Sequence, residues 1–220
     1  MITQTQVGQQ TAAKGTTPIM RSGVQCDVIV SELHGRYAEA AVNGNIFHAT
    51  NTGVGITLAA PNAIGAAVPV AGAAQPILGL VNPVNSGVYL IINRTKVLTL
   101  SGTPGGGFIF GIISNQAAAY TGVTTNRGTQ ASSLQPGGRA IVIPNLALTG
   151  TPAVVTELRQ IGGPAAVAAG AGVYTVDEET AGDILVPPGA ILGIFAQAAG
   201  TTHVVKASLT WEEITAQAAL

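Results

Sequence analysis

Residues 202–214, with the sequence Thr-His-Val-Val-Lys-Ala-Ser-Leu-Thr-Trp-Glu-Glu-Ile, decide the fold class of this chain. From His203 to Trp211 every second residue is apolar or aromatic, and most of the residues between them are polar. This period of two is typical of a β-strand with one buried face. The pattern predicts that Trp211 lies in the core, and that His203 is a hydrogen-bonded histidine of the core or of an interface rather than a metal ligand.

Further strands are predicted outward from this stretch, wherever a short apolar run lies between turn residues. These runs are 88–100, 106–114, 139–145, 153–160, 183–186 and 190–196. We interpret 88–100 as one strand, the alternative being a hairpin that turns at 93–96. Segment 53–83 is rich in Gly, Ala and Pro and predicts irregular edge strands, because proline is excluded from central strands. Many short strands with Gly and Pro turns indicate an all-β sandwich or barrel.

The N-terminal residues differ from the rest in composition. Residues 1–25 are polar and rich in Thr and Gln, with few large apolar side chains, which predicts an extended arm. Residues 26–220 then form the β-domain, with a sub-boundary near residue 83 as an open alternative. We expect Lys14 and Arg21 on the arm to meet carboxylates of a binding partner.

The charge content restricts the functions open to this chain. Charged residues are 9% and apolar residues 47% of the sequence, with a net charge of −1. The apolar content excludes a disordered chain, and the absence of a basic surplus argues against binding to nucleic acid or to an anionic membrane. So few charges predict an assembly that buries much of the surface, because permanent interfaces are more apolar than ordinary surface.

The sequence also gives little indication of a targeting signal or a membrane-spanning segment. Residues 1–15 lack a basic stretch followed by an apolar one, so we expect no signal peptide and synthesis in the cytoplasm. The uncharged region between Glu39 and Arg94 is interrupted by four prolines and is mostly Ala and Gly, so no membrane span is expected there.

Catalytic and cofactor motifs are weak. No G-x-S-x-G nucleophile motif occurs, and Gly8–Lys14 lacks the second glycine of a phosphate-binding loop. The lone Cys26 is expected to be a small buried hydrophobe. Together with His34, His48 and His203 it shows no metal-finger spacing. We therefore expect no enzyme activity, no cofactor and no metal.

Two groups of carboxylates were candidates for chemistry. Asp177-Glu178-Glu179 precede a glycine-containing turn and are expected in a solvated loop, with a Ca²⁺ site as the open alternative. Glu212 and Glu213 are adjacent on a strand, so their side chains point to opposite faces and cannot form a catalytic pair.

Four segments resemble small structural proteins of tailed bacteriophages. Residues 82–90, Asn-Pro-Val-Asn-Ser-Gly-Val-Tyr-Leu, are similar to an NP-x-x-SG-x-x-L start in those proteins, and Gly105–Phe110 is similar to the element that follows. Asp183–Gly189 and Ser208–Ile214 resemble their D-I-x-V-P-P-G and W-E-E-I ending. The likeness spans about residues 76–115 and 177–214.

The resemblance implies a virion component, and in particular a decoration or cement protein on the capsid surface. It implies a jelly-roll-like β-sandwich that forms a homotrimer and contacts the major capsid protein. Tyr89, Ile191 and Phe195 are the predicted interface residues, since Ile191 and Phe195 share one face of their strand and Leu192 and Ile194 share the other. The alternative is a head- or tail-fibre module that binds a host glycan.

Overall fold

The computed structural model describes residues 37, 40–41, 44–51, 53–63, 70–71, 74–103, 106–113, 126–127, 138–145, 154–162 and 174–215. The chain divides into two units, Met1–Glu39 and Ala40–Leu220, and the fold described below is that of the second. The predicted arm, residues 1–25, lies outside the described residues. Its boundary and the sub-boundary near residue 83 stay predictions.

Twelve strands are described in the second unit. They are β1 (Ile46–Thr50), β2 (Ile56–Leu58), β3 (Val70–Ala71), β4 (Leu78–Val81), β5 (Val88–Ser101), β6 (Phe108–Ile113), β7 (Asn126–Arg127), β8 (Ile141–Pro144), β9 (Val154–Ile161), β10 (Thr175–Val186), β11 (Ile191–Ala196) and β12 (Gly200–Thr215). A short 3-10 turn, Ala60–Asn62, follows β2.

The strands form two six-stranded sheets in which every pairing between named strands is antiparallel. Sheet A has the order β10-β5-β12-β1-β7, and β2 also pairs with β12. Sheet B has the order β3-β9-β6-β11-β4-β8. Four of the pairs are nested along the chain: β1 with β12, β4 with β11, β5 with β10, and β6 with β9.

One apolar core lies between the sheets. Its buried residues come from both sheets, with Leu90, Leu209 and Trp211 from sheet A and Leu80 and Phe110 from sheet B among them. Each strand of a sandwich directs alternate side chains inward, which fills the space between the layers. The predicted all-β sandwich is confirmed.

The two longest predicted strands form as the sequence pattern indicated. In β12 every second residue from His203 to Glu213 is buried. Residues 88–101 form one strand and not a hairpin, with a bulge at Asn93 where its pairing with β12 shifts register. The bulge absorbs one extra residue without ending the strand.

The prediction of edge strands in 53–83 is wrong for β4. This strand lies between β11 and β8, and all four of its residues are buried. Pro76 and Pro83 flank the strand and lie outside it, so neither removes a ladder hydrogen bond. Proline therefore bounds this central strand instead of excluding it.

A buried asparagine joins β1 to β2 along the edge of β12. Asn51 is 1% exposed, and its Oδ1 accepts from the Ala207 N–H at 2.6 Å. Its Nδ2 donates to the Val205 carbonyl at 3.4 Å, and its backbone N–H donates to the Ala207 carbonyl at 3.1 Å. The side chain thus satisfies backbone groups of β12 where strand pairing is interrupted.

Candidate assembly surface and the corner that supports it

Asn82 holds the two sheets together at one end of the sandwich. It follows β4 of sheet B and is fully buried. Its Nδ2 donates to the carbonyls of Val88 and Val186, both at 2.9 Å, which belong to β5 and β10 of sheet A. Its backbone N–H donates to Ala190 at 2.9 Å, and its carbonyl accepts from Gly189 at 2.8 Å. Asn82 therefore fixes both turns at this end.

Glu213 makes a second connection between the sheets. Its carboxylate is 9% exposed and accepts from the backbone N–H groups of Arg139 at 2.9 Å and Ala140 at 3.0 Å, just before β8. The Trp211 indole N–H lies 3.4 Å from the same carboxylate. A Cβ at Gly138 would lie 2.4 Å from Glu213 Oε1, so a larger residue here would have to displace the Glu213 carboxylate.

Arg139 and Trp211 complete this end of the fold. The Arg139 guanidinium donates to the Ser86 carbonyl in the turn between β4 and β5. Trp211 is fully buried and stacks on Phe47, with ring centroids 5.9 Å apart. We name residues 82–90, 138–140, 183–190 and 211–214 the Asn82 corner.

The outer face of sheet A changes character along the strands. One cross-strand row contains Leu185, Ile91, Glu212 and Ile46 on β10, β5, β12 and β1. Tyr89 and Ile214, which belong to the Asn82 corner, pair in the neighbouring row. We name the five apolar and aromatic members of these rows the apolar patch: Ile46, Tyr89, Ile91, Leu185 and Ile214. Leu185 is 46% exposed, and the other four are partly buried.

A carboxylate lies inside the apolar patch. Glu212 pairs with Ile91 on one side and with Ile46 on the other. Burial raises the pKa of Glu212 above its ordinary value, because the charged form loses hydration beside these side chains. The apolar patch therefore already excludes enough water to raise the pKa of the Glu212 carboxyl group.

The next rows of the same face are charged. Arg94 forms a bidentate ion pair with Asp177, in which Nε donates to Oδ1 at 2.7 Å and Nη2 donates to Oδ2 at 2.6 Å. The Lys96 ammonium lies 3.0 Å from the same Oδ2. The hydrogen bond from Arg94 is the main reason that the pKa of Asp177 falls to about 2, and the same bond raises the pKa of Arg94. Sheet A thus presents an apolar end and a charged middle.

The Asp177–Glu179 segment is not a loop, as the sequence suggested, but part of β10. Its glycine, Gly182, lies in an irregularity within the strand and does not end it. Glu178 points inward and pairs with Arg159 of β9 at 2.6 Å, so the three carboxylates do not converge. Within the described part of the chain, no group of three or more His, Cys, Asp or Glu side chains could hold a metal ion.

The predicted interface residues have different environments. Tyr89 lies in the apolar patch and is partly exposed. Ile191 and Phe195 are 1% and 0% exposed and are buried within the single chain, while Leu192 and Ile194 of the same strand belong to the core between the sheets. Contact of Tyr89, Ile191 and Phe195 with another subunit stays a prediction. Lys14 and Arg21, predicted for capsid contact, lie outside the described residues, as does Cys26.

His203 is a core histidine, as the alternation in β12 predicted. It is 1% exposed, and its Nε2 lies 2.9 Å from the Thr99 hydroxyl. Its ring lies near Phe108, with centroids 6.3 Å apart. Burial lowers the pKa of His203. His203 Nδ1 has no hydrogen-bond partner among the described residues, so the histidine is only half satisfied.

Sequence reasoning missed the structural roles of Asn82 and Glu213. Asn82 precedes a proline, and in the sequence it contributes only to the motif at residues 82–90, so no local signal marks it as a residue that joins the two sheets. Glu213 lies at an odd position like Trp211, so the period-two pattern could have placed it on the buried face. A buried carboxylate needs several donors, and no local pattern shows that the donors come from Arg139 and Ala140.

Comparisons with known proteins add no relative. No family model matches the chain, and no curated protein or solved structure matches it. Among the helices of the described residues, none is long and apolar enough to cross a membrane.

Proposed function

We propose that this chain is a structural virion protein that decorates and stabilises the capsid of a tailed bacteriophage as a homotrimer. The observation that carries the proposal is the apolar patch, which shares Tyr89, Leu185 and Ile214 with a corner built largely from the segments that resemble phage structural proteins. The protein would be made in the host cytoplasm and would act at the capsid surface on the major capsid protein. It would need no cofactor, since its effect is to add interface free energy between capsid subunits.

The strand order supports a jelly-roll interpretation of the sandwich. The nested pairs β1–β12, β4–β11, β5–β10 and β6–β9 are what results when one long antiparallel hairpin rolls up into two sheets. Jelly rolls of eight strands occur in viral capsid proteins and lectins. Fold alone does not assign function, so this order agrees with the proposal without deciding it.

The apolar patch is the surface we assign to contact between subunits. Its row of Leu185, Ile91 and Ile46 lies on the edge strand β10 and on the inner strands β5 and β1 of sheet A. Stable interfaces have an apolar centre and a polar rim. The patch fits such a centre, and the adjoining Arg94, Lys96 and Asp177 side chains fit a rim.

A glycan-binding fibre module is the weaker proposal. Carbohydrate sites use exposed aromatic rings together with polar groups in a groove. Trp211 is fully buried between the sheets and cannot face a ligand. Tyr89 is partly exposed, but it lies among aliphatic neighbours in the apolar patch.

Leu185→Lys tests the assembly surface. We expect the wild-type chain to be a trimer in light scattering at micromolar concentration and Leu185→Lys to dissociate, because a buried unpaired charge opposes association. Leu158→Lys is the matched control, since Leu158 of β9 has nearly the same exposure, 45% against 46%. A monomeric wild type, or equal effects of the two variants, would contradict the proposal.

The capsid role is tested by the copy number of the chain in purified virions. A decoration protein is present in many copies spread over the whole capsid, whereas a fibre module is present in few copies at one place. Quantitative mass spectrometry of virions, combined with labelling of the chain in electron microscopy, separates these outcomes. Absence of the chain from virions would reject both.

A further inference from the structure

We propose that His203 is a pH-sensitive switch inside the sandwich, and that the start of β12 opens when this histidine takes up a proton. His203 lies on the inward face of sheet A, at the end of β12 opposite to the Asn82 corner. The switch is independent of the proposed assembly surface, because the apolar patch lies on the outward face of the sheet.

The first observation is that His203 is buried with a single neutral hydrogen-bond partner. The side chain is 1% exposed, and its Nε2 lies 2.9 Å from the Thr99 hydroxyl. Its Nδ1 has no partner among the described residues. A protonated imidazole carries an N–H on both ring nitrogens, and the Thr99 oxygen can accept from only one of them. Protonation in the closed core would therefore bury a positive charge with one N–H left without an acceptor.

The second observation is that the side chains around His203 carry no charge. The buried side chains of the neighbouring strands at this end are Leu58 of β2, Val97 of β5, Phe108 of β6, Ile161 of β9, Val176 of β10 and Val205 of β12. Tyr174, which packs against the same core, is titratable but uncharged in acid. Burial among these side chains lowers the pKa of His203 below its ordinary value of 6.5.

The charged side chains of the same strands lie elsewhere. On β5, β10 and β12 they point to the outward face: Lys96, Asp177 and Lys206. Glu178 of β10 and Arg159 of β9 pair with each other at 2.6 Å, and Glu178 pairs across the sheet with Thr95. Thr95 and Thr99 are about 13 Å apart along β5. None of these carboxylates is therefore placed to stabilise an imidazolium at His203.

The third observation is that the backbone at His203 is weakly paired. The pairing of β12 with β2 skips from Gly200 to Val204, and the pairing of β12 with β5 begins at Val204 and shifts register before the next residue. Residues 201–203 therefore have no cross-strand partner among the described pairings. Segments with few such contacts open at a lower free energy than the rest of a fold. The start of β12 can thus expose His203 to water while the remaining core stays packed.

The direction of the pH effect follows from the burial of His203. An open, hydrated histidine takes up a proton near pH 6.5, whereas the closed one does so only at lower pH. The closed state is therefore fully favoured above pH 6.5, and it loses stability relative to the open state as pH falls below that value. One proton is involved, so the open fraction rises by up to about tenfold for each pH unit in this window.

Amide hydrogen exchange of the full-length chain tests the switch at about pH 7.5 and about pH 5.5, on either side of the ordinary pKa of histidine. Exchange is expressed as protection factors, which remove the intrinsic pH dependence of the exchange reaction. We expect the protection of residues 203–205 to fall by up to about tenfold at the lower pH, because about one pH unit of the range lies below 6.5. The amide of Leu192, in the core strand β11, should keep its protection.

Two variants show whether His203 is the cause. His203→Gln should abolish the fall, because glutamine stays neutral at both pH values. His48→Gln is the matched control: His48 is exposed on the neighbouring strand β1, so its loss should leave the fall unchanged. No fall in the wild-type chain, an equal fall in His203→Gln, or an equal fall at Leu192 would overturn the proposal.

NMR titration of the imidazole carbons in the wild-type chain gives a second measurement, which holds even if His203→Gln does not fold. We expect most of the His203 rings to be neutral at pH 6.5, the ordinary pKa of histidine. A His203 titration midpoint at or above this value would show that the core accepts the proton without opening, and the switch would be ruled out.

Discussion

Buried asparagines bind backbone groups at places where strand pairing stops. Asn51 binds β12 between β1 and β2, and Asn82 binds β5 and β10 at the end of β4. Asn62 has the same role in the 3-10 turn, since its Nδ2 donates to the Gln75 carbonyl at 2.9 Å and to Asn145 Oδ1 at 2.8 Å. An amide both donates and accepts without charge, so it can replace a missing backbone partner.

Asn82→Asp should strongly destabilise the fold. The substitution keeps the shape but replaces two N–H donors with an oxygen that faces the carbonyls of Val88 and Val186. We expect a loss of at least about 2 kcal/mol in the free energy of unfolding, because the new oxygen is buried without a donor. Asn85→Asp, an exposed change in the same turn, should cost little. If urea denaturation gave equal losses of unfolding free energy for Asn82→Asp and Asn85→Asp, the Asn82 contacts would not be what stabilises the corner.

Trp211→Ala should be among the most damaging single substitutions. The side chain is fully buried and stacks on Phe47, so its removal leaves a large cavity between the sheets. We expect a loss of about 3–5 kcal/mol in the free energy of unfolding, measured by chemical denaturation. A loss below about 1 kcal/mol would mean that the core closes over the gap or never packed on the ring.

At the scale of elements, β10 is a long edge strand whose own residues discourage pairing with other chains. Sheet A ends at β10 among the described strands. Exposed strand edges invite pairing with other chains, and bulges and charges discourage it. The irregularity at Ala181 and Gly182 and the paired charges of Asp177, Glu178 and Asp183 supply both.

The ion pair between Arg94 of β5 and Asp177 of β10 predicts that Asp177 contributes to stability in a pH-dependent way. Its pKa is about 2 in the folded chain against an ordinary 3.8. The contribution is therefore fully present above the ordinary value and is lost as pH falls through the folded value. It should be small, because the ion pair is exposed to solvent.

Carboxyl-carbon NMR titration measures this pKa directly. We expect the pKa of Asp177 to be well below 3.8 in the wild-type chain and to move back towards that value in Arg94→Gln. An Asp177 pKa that is the same in both proteins would show that the hydrogen bond from Arg94 is not its main cause.

The elements that the sequence predicts well are those whose pattern is set by one buried face. The alternation in 202–214 predicts β12, and the long run 88–100, rich in β-branched residues, predicts β5 as one strand. The prediction of a loop at 177–179 is wrong because a following glycine indicates a turn in general, whereas Gly182 lies in an irregularity within β10. The Asn82 corner was not predictable, since its hydrogen bonds join segments distant in sequence, such as Asn82 and Val186.

At the scale of the whole molecule, the predicted arm and the sandwich should have separable roles. Residues 1–25 hold few large apolar groups, so they cannot offset an ordering cost of about 1–2 kcal/mol per residue of backbone by themselves. We expect deletion of residues 1–20 to leave the melting temperature nearly unchanged and to weaken binding to capsids that lack the native protein.

Occupancy on such capsids, compared for the truncated and full-length chains, checks this prediction. Lys14→Ala with Arg21→Ala in the full-length chain is a milder version, which removes only the predicted charge contacts. Equal occupancy of the truncated chain would show that the arm is not the anchor. A truncated chain that fails to fold would show that the arm belongs to the core.

The nested strand pairs have a consequence for how the chain is synthesised. Ile46 in β1 pairs with Glu212 in β12, so β1, the first of the described strands, meets this partner only after β12, the last of them, has left the ribosome. Contacts between residues far apart in sequence slow the folding of a domain. Until then the edge of β1 that pairs with β12 stays open, and a nascent chain with an open strand edge is vulnerable to aggregation. The pairing of β1 with β12 therefore has to wait until residues 200–215 have been synthesised.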